Sequence, residues 1–166
     1  MTDHEIRVAN PMKVRLIAES MKKTDRNDAH ILLDLYNKSY MPESYLPPAD
    51  IREARNLCRN RYLLIRQRTA VKNRIRDQSF RLGMDFRGYT KKSMDFLRHA
   101  SPVLKILVQD LENLNSEVLA MDVEISGKWK TSQYARIIGT IPGIGKYGSL
   151  AIASEIGDVG RFPRGG

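Results

Sequence analysis

Asp25 and Asp28 stand three residues apart in the run Lys22-Lys23-Thr24-Asp25-Arg26-Asn27-Asp28-Ala29. If a helix begins at Thr24, a fair N-cap, both carboxylates fall on one face, with about 5–6 Å between their Cβ atoms. The apolar pattern from His30 through Ile31, Leu32, Leu33 and Leu35 to Tyr36 supports that helix. Two such carboxylates can share a divalent ion, and Mg²⁺ characteristically takes one or two of them and completes its shell with water and phosphate oxygens. Acids at a helix N-terminus can also do no more than complement its dipole. The pair is therefore a candidate catalytic and metal site whose meaning depends on its context.

A second candidate is the glycine-rich stretch from Gly139 to Gly145-Lys146. A P-loop needs four residues between its first Gly and Gly-Lys, followed by Ser or Thr; here five intervene and Tyr147 follows, so nucleotide hydrolysis of that kind is excluded. A helix-hairpin-helix fits better, with a short helix over 135–139, a hairpin at 142–145 and a second helix over 146–156. Gly143 and Gly145 would let backbone amides approach a phosphate, the helix N-terminus would favour its charge, and Lys146 would add a contact. A purely structural turn between packed helices is the alternative.

Two long helices are expected to carry these sites. Residues 51–82 contain no Gly or Pro and hold ten Lys/Arg against two Asp/Glu, an excess of eight in a chain whose net charge is +9. Ala54, Leu57, Leu64, Val71, Ile75 and Leu82 make an apolar three-four stripe, completed by Arg61, Arg68 and Gln78. On the other faces, Arg55, Arg59, Arg66, Lys72, Arg74 and Arg76 are candidate phosphate contacts, because so many cations on one helix repel one another unless an anion lies alongside. A solvated face, or one meeting an acidic partner, is the plainer reading. After Ser101-Pro102, Leu104, Leu107, Leu111, Leu114, Val118, Met121 and Ile125 repeat at three and four like a coiled-coil seam, flanked by Asp110, Glu112, Glu117, Asp122 and Glu124. This helix can fold back antiparallel on the basic one, after a linker with Gly83, Gly88 and a short helix near 90–99, or pair with another subunit. The spacing is the same for both.

The rest of the chain is quieter. Residues 5–9 alternate like a strand, Pro11 ends it, and a helix is expected over 13–21. The prolines from Met41-Pro42 to Pro47-Pro48 mark a rigid linker. The single Cys58 gives no disulfide framework and reads as packing, as does Trp129 after Gly127-Lys128, where the seam is expected to end. His4, His30 and His99 lack ligand spacing. No apolar run reaches membrane-spanning length and no signal peptide opens the chain, so the expected location is cytoplasmic, with no membrane partner. At 166 residues, 42% hydrophobic and with a pI near 9.8, the composition suits a modest core and a polyanionic partner.

The runs Val8-Ala9-Asn10-Pro11-Met12-Lys13, Ala18-Glu19-Ser20 and Lys23-Thr24-Asp25-x-x-Asp28-Ala29 resemble the catalytic domain of DEDD-type insertion-sequence transposases, the RNA-guided bridge recombinases. Ile138 to Gly145, Ala151 to Asp158 and Arg161-Phe162-Pro163 resemble the opening of that family's second domain. The resemblance implies an RNase H-like fold in which Asp25 and Asp28 are the last two of four acidic ligands for Mg²⁺. It further implies DNA as substrate and a guide RNA as partner. The first Asp and Glu would lie upstream of Met1 and an attacking serine beyond Arg161-Phe162-Pro163, so the chain is expected to be a middle portion, inactive alone. The expected fold is mainly α, in three parts: the end of an RNase H-like α/β domain (1–48), a helical coiled-coil connector (49–128) that supports a homo-oligomer, and a helix-hairpin-helix-like start of a second transposase domain (129–166). The competing expectation is a non-catalytic nucleic-acid-binding or dimerisation module.

Overall fold

The computed structural model of the chain describes residues 8–18 and 25–162, and of residues 17–18 and 25–28 it describes the backbone. The chain forms two compact units, residues 1–47 and 48–166. Both are helical, and the described residues contain no strand beyond one isolated bridge.

In the first unit, α1 runs Pro11–Ala18 and α2 Asp25–Asn37. The helix expected from residue 13 starts two residues earlier, because Pro11 occupies the first helical position, where a missing N–H costs nothing. Asn10 caps it, its Oδ1 accepting from the amides of Met12 (3.1 Å) and Lys13 (3.2 Å). The expected strand falls mostly on residues outside the description. Its end is paired: Ala9 bridges Glu43 antiparallel, with Asn10 N donating to Pro42 O and Ser44 N to Val8 O, both at 2.7 Å. The proline linker thus covers backbone groups that an edge strand would leave open.

The second unit is a long antiparallel hairpin with a helical pair packed on its open end. Helix α3 spans Ala49–Arg81, α4 Lys91–Ala100 and α5 Pro102–Thr131. A glycine ends α3: Gly83 takes φ +66°, which L side chains resist, and the amides of Leu82 and Met84 return to Gln78 O and Ser79 O. Thr90 Oγ1 caps α4 by accepting from Ser93 N, and Ser101 Oγ caps α5 by accepting from Val103 N, with Pro102 at the first turn.

The three-four stripes of α3 and α5 meet within one chain. Near the closed end, Val71 and Ile75 pack with Met94 and Leu97 of α4 and with Leu104, Leu107, Val108 and Leu111 of α5. At the open end, Ala54 and Cys58 pack with Ile125, with Ala135 of α6 (Gln133–Ile138) and with Leu150 and Ala153 of α7 (Lys146–Ile156). Between these clusters the seam keeps the buried Val118 and adds polar pairs at its edges. Arg61 pairs with Asp122 (Nε–Oδ1 2.5 Å), and Arg68 Nη1 donates to Asn115 at 3.5 Å. Two residues depart from the expected stripe. Leu82 stands 47% exposed beyond the last turn, and the buried position there is Ser79, whose hydroxyl donates to Ile75 O. Helix α5 also runs through Gly127 to Thr131, because the docked α6 and α7 hold its last turn despite the glycine's poor propensity.

Candidate nucleic-acid interface and acidic pair

Asp25 and Asp28 occupy the first and fourth positions of α2, so its backbone sets them on one face of the first turn. Their side chains lie outside the described residues. Thr24, the expected cap, lies outside them too.

Helix α3 divides its cations between two tasks. One group docks the C-terminal pair. The Arg55 guanidinium donates to the carbonyls of Ser154 (2.7 and 3.1 Å) and Glu155 (3.4 Å), oxygens that the end of α7 leaves without intrahelical donors. Arg59 forms a two-pronged pair with the Glu155 carboxylate at 2.8 and 2.9 Å, which holds that acid below its usual range. Arg61 lies over the Tyr147 ring at 4.3 Å while it pairs with Asp122, and the pair raises its already high pKa. Arg55 and Arg59, expected at a phosphate, are thus occupied by α7. The sequence contained the needed signal, a lone acid near the end of an apolar helix, but not the fold that brings residue 155 to residue 59.

The other group faces outward. Arg66, Arg74 and Arg76 are exposed and have no carboxylate partner among the described residues. Arg66 lies 6.0 Å from the Tyr62 ring. Lys72 is half-buried, with its ammonium 4.8 Å from the Tyr89 ring, and Tyr89 in turn donates its hydroxyl to Lys72 O. Burial raises the Tyr89 pKa, and the neighbouring Arg76 opposes the rise.

The glycine stretch forms a hairpin between α6 and α7. Gly143 turns it at φ +87°, a conformation that favours glycine. Gly145 caps α7 without a side chain, so the first amides of that helix point outward unbonded to the helix itself. Lys146 is exposed with its ammonium 5.4 Å from the Trp129 ring, and Trp129 Nε1 donates to Ser149 Oγ at 3.0 Å. The structure therefore brings Gly143, Gly145 and Lys146 to one turn, and it ties that turn to α5 through the tryptophan. Cys58 is buried beside Tyr147, and burial pushes its thiol up to about 11, so it stays protonated and packs.

Among the described residues no group of three or more His, Cys, Asp or Glu is placed to hold a metal, and no helix is long and apolar enough to cross a membrane.

Residues 1–78 match the transposase family DEDD_Tnp_IS110, a segment that includes Asp25, Asp28 and most of α3. The chain is also 23% identical, over 93% of its length, to the transposase for insertion sequence element IS1111A of Coxiella burnetii. It spans about half of that relative, 46% of its length. Over its first 78 residues, the chain is thus similar to the DEDD-type insertion-sequence transposases.

Proposed function

We propose that this chain serves DNA transposition as a nucleic-acid-binding segment that also contributes two acidic ligands to a divalent-metal site. The family match carries the reading, because it spans both the acidic pair and the basic helix. Arg66, Lys72, Arg74 and Arg76 supply phosphate contacts along α3, and the amides at Gly143 and Gly145 with Lys146 supply another at the hairpin. The partners are DNA and a guide RNA. Arg55 and Arg59 contribute at that surface only where α7 yields them.

The donor set of Asp25 and Asp28 fits a hard cation such as Mg²⁺: two carboxylates, one helical turn apart, on the first turn of α2. When bound, such an ion orients a scissile phosphate and stabilises charge on the attacking and leaving oxygens. The two aspartates would hold it, and further ligands must complete the site. Self-association is a second property of the same segment. Leu119 and Val123, 66% and 71% exposed, lie one turn apart on α5 away from its partner helix.

The test is Asp25→Asn and Asp28→Asn, which remove a charge and keep side-chain size. In a cleavage-competent protein containing this segment, each should abolish strand cleavage while nucleic-acid binding by the present chain stays unchanged. Cleavage that survives both substitutions would remove the pair from the mechanism and reduce it to a dipole complement at the start of α2.

A further inference from the structure

The apolar seam is not the only three-four repeat on α3. A second repeat runs along a different face, and from Tyr62 onward it comprises Tyr62, Arg66, Thr69, Asn73, Arg76 and Phe80. All six are exposed, and the three acids of the helix, Asp50, Glu53 and Asp77, lie off this line. Upstream the repeat continues through Arg55 and Arg59, which the end of α7 covers. The open part extends about 27 Å at 1.5 Å per residue.

Its aromatic members have no role in the core. Phe80 is 82% exposed and Tyr62 55%, on a stretch of helix whose buried side chains, Val71, Ile75 and Ser79, lie off this line. Exposing an aromatic ring forgoes its hydrophobic gain, so two on one basic face call for a ligand that uses flat apolar surfaces and negative charge together. A protein partner with an apolar patch would satisfy the rings and leave Arg66 and Arg76 desolvated against it. A duplex would satisfy the arginines but keeps its bases stacked inside, away from the rings. Unpaired bases strung on a phosphate backbone satisfy both.

We propose that the Tyr62–Phe80 face of α3 is a platform for single-stranded nucleic acid, with bases stacked on the Tyr62 and Phe80 rings and intervening phosphates held by Arg66 and Arg76. This deepens the nucleic-acid reading above and rests on it. The uncharged Thr69 and Asn73 leave the middle of the platform without a fixed charge, which suits a strand held at its two stacked ends.

The experiment measures the affinity of the full chain for a labelled oligothymidylate, for a duplex of equal length and for an abasic strand of equal length. Tyr62→Ala and Phe80→Ala should each weaken oligothymidylate binding roughly 5-fold or more, the lower bound for unstacking one base. The salt dependence should keep its slope, since neither change removes a cation. Duplex and abasic affinities should not move, and Tyr62→Phe should retain single-strand binding. Both side chains are exposed, so circular dichroism should match the parent. Alanine variants that bind oligothymidylate as the parent does, or lose duplex and abasic binding equally, would overturn the inference. So would a double variant that changes only the sedimenting mass, which would make the face a protein interface. If Arg66→Glu weakens all three ligands while the alanines do nothing, this inference falls and the proposed function stands. Binding to none of the three would overturn both.

Discussion

At the scale of single residues, the most consequential contact is the one between Arg59 and Glu155. It pins the end of α7 to α3, and the arginine's hydrogen bonds hold the Glu155 carboxyl below its ordinary value of 4.5. A folded-state pKa lowered in this way contributes stability that is present above the unfolded value and is lost as pH falls through the folded one. The docking of α7 should therefore loosen below about pH 4.5 and not at neutral pH. Trp129, the only tryptophan, reports on that docking through its bond to Ser149 of α7. Its fluorescence should change in that acid window in the parent, and Glu155→Gln should remove the acid-dependent step. An identical acid transition in the variant would show that the pair does not set it. None of this is legible from local sequence. Arg55 and Arg59 read as free cations because the acid that engages Arg59 lies 96 residues away.

At the scale of elements, much more is legible. Helices α3 and α5 follow from periodicity, and the starts of α4 and α5 from their caps, since Thr90 and Ser101-Pro102 announce helix starts by their own chemistry. The hairpin does not follow, because a three-four stripe serves an intrachain partner as well as a second subunit. The packing of Val71 and Ile75 against Leu104, Leu107 and Leu111, with Met94 and Leu97 of α4 closing the same cluster, decides it in favour of the hairpin. The start of α1 is displaced from its expected place because Pro11, which reads as the end of a strand, begins a helix capped by Asn10. The hairpin's stability should reside in the seam and not on its outer faces. Leu111→Ala, at a position 1% exposed, should cost about 2–5 kcal/mol in denaturant unfolding. Val123→Ala, at a position 71% exposed, should cost within about 0.5 kcal/mol. Equal costs would mean that the two helices are not held by the packing described.

At the scale of the whole molecule, charge and family point the same way. An excess of eight positive charges lies within residues 51–82, and the family match covers nearly all of that segment. The acidic pair is legible as a motif because helical spacing is local. A full metal site is not, because its remaining ligands are not given by the spacing of two residues. What the fold adds is a division of the basic helix, with Arg55, Arg59 and Arg61 tied to α5 and α7, and Arg66, Arg74 and Arg76 exposed without a carboxylate partner among the described residues.

The most direct test of that division is the salt dependence of nucleic-acid binding by the whole chain and by an Arg66→Glu, Arg74→Glu variant. Each phosphate neutralised should contribute about 0.7 log units of affinity per log unit of salt on a single strand and about 0.9 on a duplex. The parent slope should be steep. The variant should bind every sequence tested more weakly, with the slope lower by about one for each phosphate no longer neutralised. Binding that ignores salt, or a variant whose slope equals the parent's, would contradict that division.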